Sequence, residues 1–150
     1  MALIVGTDTY VTGTDLTAYA TARGITLLAQ DPEILLTKAM DYLETRDWIG
    51  GKTQITQPLK WPRVICRYGE ICEYDAITVP KPIKDAQCIA AILIDKGYDL
   101  QPVVDRAVKR EKVDVLEVEY MDTAASEAQY RSLQDILRPF LNAGIRGMRI

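Results

Sequence analysis

The chain has 150 residues, 48% of them hydrophobic and 26% charged, enough for one globular domain that buries a core without disulfide or metal staples. Its formal net charge of −3 weighs against a dedicated nucleic-acid binder, which neutralises phosphates with a basic domain or stripe. It contains no histidine, which excludes Ser-His-Asp and Cys-His catalysis and leaves a zinc site only cysteines and carboxylates to draw on.

Three cysteines, Cys66, Cys72 and Cys88, are odd in number and lack a CxxC pair, a pattern of free thiols in a reducing compartment. A hairpin would bring Cys66 and Cys72 face to face, so a disulfide there is the alternative. The start, Met1-Ala2-Leu3-Ile4-Val5-Gly6, has no basic region and only a short apolar run, unlike a secretory signal. No apolar stretch approaches the ~20 residues of a membrane span. The expectation is a soluble protein made in the cytoplasm.

In chain order, Leu3 to Val5 reads as a short strand or anchoring arm. Thr12 and Asp15 have capping-box spacing and open a first helix that carries Leu16, Tyr19 and Ala20 and stops at Gly24. Asp31 as N-cap, Pro32 at the first helical position and Glu33 in the first turn predict a second helix over 32–48. Its face is Leu35, Ala39, Tyr42, Leu43 and Arg46, and Gly50-Gly51 ends it. Residues 50–79 have no helical period and form an insertion loop, far longer than the usual connection of ~4–6 residues. Within it Val64-Ile65-Cys66 and Ile71-Cys72 flank a turn, a candidate hairpin. A third helix starts near Pro80 and carries Ile83, Ala86, Ile89, Ala90, Leu93 and Ile94 to Gly97. After a connector over 98–110, Val113, Val115, Val118 and Tyr120 suit an extended strand with a bulge at Leu116. A last helix runs from about Ser126 to Arg138, with Tyr130, Leu133, Ile136, Leu137 and Phe140 on its face, and Pro139 ends it. The fold class is mainly α: one small helical domain with a long central loop, a short extended β segment and a C-terminal arm, 139–150, expected to be mobile.

Four constellations invite a functional reading. Trp61, fixed by Pro62 beside Arg63, suits an interface anchor; the account favoured on burial statistics is that it pins the loop onto its own core. The cations of Arg106 to Lys112 are ringed by Asp105, Glu111, Asp114, Glu117 and Glu119, which fits a salt-bridged face or an inter-subunit charge ladder better than a phosphate site. In a strand Glu117 and Glu119 share a face and Asp114 does not, so convergent acid–base or metal chemistry is not expected. Gly50-Gly51-Lys52-Thr53 fails as a phosphate loop, since the first glycine would fall on Arg46. The tail has Arg138, Arg146 and Arg149 with no acid after Asp135. It is either a frayed basic end or a segment that orders on an acidic partner. No arrangement supports a nucleophile, base, metal or cofactor site, and no enzymatic activity is expected.

Taken in order, these residues resemble a known family over nearly the whole chain. The set comprises Tyr10-Val11-Thr12, the Tyr19 helix, the Ala39/Tyr42-Leu43 helix ending in Trp48-Ile49-Gly50, Leu59-Lys60-Trp61-Pro62-Arg63, the Val79-Pro80 helix start, Glu111-Lys112-Val113, Leu116 to Tyr120, and Tyr130 to Leu141. It is similar to the head–tail adaptor, or head-completion, proteins of tailed bacteriophages and prophages, some of which are labelled DnaT-like single-stranded-DNA-binding proteins. The resemblance implies a structural protein of the virion neck, assembled in the host cytoplasm as a ring of twelve copies. That ring would dock on the portal protein and join it to a stopper or tail-completion protein, while genome DNA passes through without sequence-specific binding. It also implies subunit contacts through Trp61, Arg63, Lys112, Glu117, Glu119 and Tyr120, and a portal-docking arm using Phe140, Ile145, Arg146, Met148, Arg149 and Ile150. No cofactor is implied. The alternative is a single-stranded-DNA binder that stacks bases on Trp48, Trp61, Tyr68 and Tyr74 and meets phosphates with Lys52, Lys60, Arg63 and Arg67.

Overall fold

A computed structural model describes residues 2–28, 31–65, 77–101 and 123–142. The expected strand over 113–120, all of the 98–110 connector beyond 101, and the pair Cys66 and Cys72 lie outside these residues. The described part is mainly α, as the periodicity predicts. Its elements are α1 (Gly13–Ala22), α2 (Pro32–Glu44), β1 (Gly51–Lys52), β2 (Arg63–Val64), α3 (Lys81–Asp95), α4 (Thr123–Leu137) and a 3-10 turn, Arg138–Phe140. None of the described helices is long and apolar enough to cross a membrane.

Helix starts follow local chemistry. The Thr12 hydroxyl accepts from the Asp15 amide at 3.1 Å, and the Asp15 carboxylate accepts from the Thr12 amide at 2.9 Å. This closes the capping box and satisfies two otherwise orphan donors. Asp31 caps α2 through the Glu33 amide at 3.0 Å, with Pro32 in the first turn. Helix α3 begins after Pro80 and tolerates Pro82 in its first turn, where the amide has no intrahelical acceptor. It ends at Gly97, whose φ of +85° suits the left-handed C-terminal cap.

α3 is the hub. It packs against α1, α2 and α4 and buries Ile83, Ala86, Ala90, Ala91, Ile92 and Leu93. Leu35, Leu36, Ala39 and Leu43 of α2 face it, as do Leu16 of α1 and Leu133 and Leu137 of α4. Each fully buried leucine contributes about 1.5–3 kcal/mol relative to an exposed one. Gln87 and Thr9 are polar and fully buried. Gln87 accepts from the Tyr10 amide at 3.0 Å and donates to the Thr9 hydroxyl at 2.7 Å, which ties the N-terminal segment to α3.

Some boundaries and pairings differ from expectation. α2 stops at Glu44 rather than 48, because Trp48 folds back and donates its indole N–H to the Leu43 carbonyl at 3.1 Å. An antiparallel pairing that the sequence did not suggest joins Gly51 with Val64 and Lys52 with Arg63; the expected hairpin over 64–72 lies largely outside the described residues. Residues 3–5 contribute only an isolated bridge, Val5 to Thr9, around a turn at Gly6. Among the described residues α4 spans Thr123–Leu137, so it is already helical before the predicted start near Ser126, and it ends at Leu137 as Pro139 dictates.

Candidate functional site: the aromatic anchor at the base of the central loop

The segment from Leu59 to Ile65 folds inward. Trp61 is 1% exposed and Trp48 3%, and their rings meet edge to face at 5.7 Å. Phe140 packs edge-on against the other side of Trp61, also at 5.7 Å. Such T-shaped pairs align ring edges with ring faces and add to plain burial. The peptide Trp61–Pro62 is cis.

Arg63 follows from strand β2 and closes the base of the loop. Its guanidinium donates to the carbonyls of Trp48, Ile49, Gly50 and Lys60, with Nε to Ile49 at 2.8 Å and Nη1 to Lys60 at 3.2 Å. A planar fork with five donors is the side chain suited to gathering several carbonyls at once. Burial lowers its pKa, while Asp47, Tyr10 and Glu44 act in the other direction.

A second tie runs through Glu44, the last residue of α2. Its carboxylate accepts from the Tyr10 hydroxyl at 2.8 Å and from the Lys60 amide at 3.2 Å. The Tyr10 hydroxyl in turn accepts from the Trp61 amide at 3.3 Å. Burial, then the charge of Glu44, pushes the Tyr10 pKa up, which keeps the phenol a donor. The Lys60 ammonium donates to the Arg46 carbonyl at 2.9 Å.

The chain after α4 is fastened to the same place. Ile49 donates to the Phe140 carbonyl at 3.0 Å, Trp48 bridges Leu141, and the Asn142 amide donates to the Asp47 carbonyl at 3.0 Å. Loop base, α2 terminus and C-terminal segment therefore form one joint.

Trp61 and Arg63 are members of this joint and buried, so neither offers a free surface to a partner. Phe140, expected in the docking arm, is 4% exposed and belongs to the core. Its ring completes the aromatic cluster, and the fold extends through Asn142. Lys112, Glu117, Glu119, Tyr120, Ile145, Arg146, Met148, Arg149 and Ile150 lie outside the described residues, as do Tyr68, Tyr74 and Arg67. Lys52 is exposed. Sequence reasoning gave no structural role to Tyr10, Glu44 or Gln87, although Tyr10 belongs to the set that carries the resemblance. Only Gln87 left a signal, as a polar residue within the apolar stripe of α3.

A family model described as "Putative DnaT-like ssDNA binding protein" matches residues 1–150. The chain belongs to this DnaT-like family. No curated protein and no solved structure matches it significantly. In this DnaT-like chain, the described aromatics that would stack bases are the ones that hold the fold together.

Proposed function

We propose that this DnaT-like chain is a non-enzymatic head–tail adaptor of a tailed phage. It forms a ring that docks on the portal, joins it to the stopper or tail, and leaves a channel for DNA. The ordered resemblance over nearly the whole chain motivates the reading. One structural observation carries it: the aromatic and basic stretch from Trp48 to Arg63 is an internal joint that fastens Asn142 to the base of the loop. Such a joint gives residues 143–150 a fixed origin, as a docking arm requires. A net charge of −3 suits a channel through which DNA slides without adhering.

The test is co-expression with a portal protein from the same genome, followed by electron microscopy of the purified complex. The expected result is a ring of density beneath the portal that is lost when residues 143–150 are deleted. Deleting from 139 would be uninformative, because Phe140 is part of the core. A bare portal overturns the proposal.

The family description favours a second reading, single-stranded-DNA binding. Burial of Trp48, Trp61 and Arg63 removes the described stacking platform from it. Salt-sensitive oligonucleotide binding that weakens in Lys52→Glu, at an exposed position, would support it. No binding at low salt would set it aside.

A further inference from the structure

A groove of about 610 Å³ runs along the solvent face of α2. Asp8, Asp31, Glu33, Asp41 and Glu44 line it, and neither lysine nor arginine does. Between the carboxylates its floor is apolar: Leu59 and Met40 are buried, and Ile34 is 52% exposed. Glu33, Thr37, Asp41 and Glu44 follow helical spacing and stand on one face of α2. A groove with acidic walls and an apolar floor selects a segment that alternates cations with apolar side chains.

The C-terminal segment has this character. Residues 143–150 read Ala-Gly-Ile-Arg-Gly-Met-Arg-Ile, with two arginines, no acid and three large apolar residues. Its origin is close by. The Asn142 amide is bonded to the Asp47 carbonyl, three residues beyond Glu44, which lines the groove. Eight further residues reach at most about 26–29 Å in extension. The stretch of α2 from Glu33 to Glu44 rises about 16 Å.

We propose that this acidic groove is the docking site of the chain's own C-terminal segment, residues 143–150. Arg146 and Arg149 meet the carboxylates of α2, and Ile145, Met148 and Ile150 supply the apolar contact with Ile34 and Leu59. The inference does not depend on the adaptor reading. A partner that takes the same tail, the portal included, competes with the groove for it.

The test is amide NMR of the full chain at two protein concentrations. Arg146→Glu/Arg149→Glu is expected to shift the amides of Ile34, Thr37, Met40 and Asp41, and to leave Gln129 on α4 unmoved. Wild type in 1 M salt, where the screening length is about 3 Å, should move the same amides. The charge-swapped combination with Thr37→Lys/Asp41→Lys, both at exposed positions on α2, should return Ile34 and Met40 towards their wild-type shifts. Groove amides unmoved by the arginine reversal would overturn the proposal. So would shifts that grow with protein concentration, since the occupant would then be the tail of a second copy.

Discussion

Phe140 packs edge-on against Trp61, with ring centroids 5.7 Å apart and planes at 79°. The contact links the 3-10 turn after α4 to the base of the central loop. Phe140→Ala should therefore destabilise the whole fold, by about 3–5 kcal/mol, as a large-to-small change at a buried aromatic does. Urea unfolding followed by circular dichroism measures it. A double-mutant cycle with Trp61→Leu should show coupling of about 0.5–1.5 kcal/mol. Independent, additive effects would mean the rings do not act together.

Arg63→Lys should behave as a disruptive change. An ammonium cannot reach the carbonyls of Trp48, Ile49, Gly50 and Lys60 at once, and each buried carbonyl left unpaired costs about 1–3 kcal/mol. A loss of less than ~1 kcal/mol in urea unfolding would show that the fork is dispensable.

Gly50 and Gly97 separate two costs of adding a methyl group. Both have positive φ, +75° and +85°. At Gly97 a Cβ meets open space, so Gly97→Ala should cost only about 1–2 kcal/mol of backbone strain. At Gly50 a Cβ would run into the Val64 carbonyl across the β1–β2 pair. Gly50→Ala should cost clearly more and abolish that pairing. Thermal melts of the two variants give the comparison.

Cys88 and Tyr10 set the alkaline limit of stability. Burial pushes the Cys88 thiol up from about 9 to about 12, and Tyr10 is raised from its usual 10. Both are neutral in the fold and ionise more readily when unfolded. Their contribution is complete below the unfolded values and is lost as pH rises through the folded ones. Stability should fall from about pH 9 upwards. Cys88→Ala should remove the loss that begins near pH 9 and leave the loss that begins near pH 10, to which the buried tyrosines contribute. Urea midpoints between pH 8 and 12 follow both, and a flat profile would contradict the burial of these groups.

Gln87 is the polar tie within α3. Gln87→Leu leaves the Tyr10 amide without its acceptor, at a cost of about 1–3 kcal/mol. Hydrogen exchange at Tyr10 should accelerate more than at Leu36 on α2. Equal acceleration would indicate global loosening instead.

The sequence by itself determined the features whose cause is local. Thr12 and Asp15 closed their capping box, Asp31-Pro32 opened α2, Gly97 stopped α3 and Pro139 ended α4, because each needs only neighbours within about one helical turn. The wide apolar stripe of α3 likewise announced the hub. Only the tertiary structure decided the fate of the loop. Trp61 suited an interface as well as a core until Phe140 and Trp48 closed on it, and Arg63 suited a phosphate as well as four carbonyls. Their partners lie far along the chain, and neither periodicity nor propensity carries information about such meetings. The same limit explains why α2 was drawn too long: its stop depends on Trp48 turning back to Leu43 and on the C-terminal residues pairing with 47–49, not on any helix breaker in the sequence.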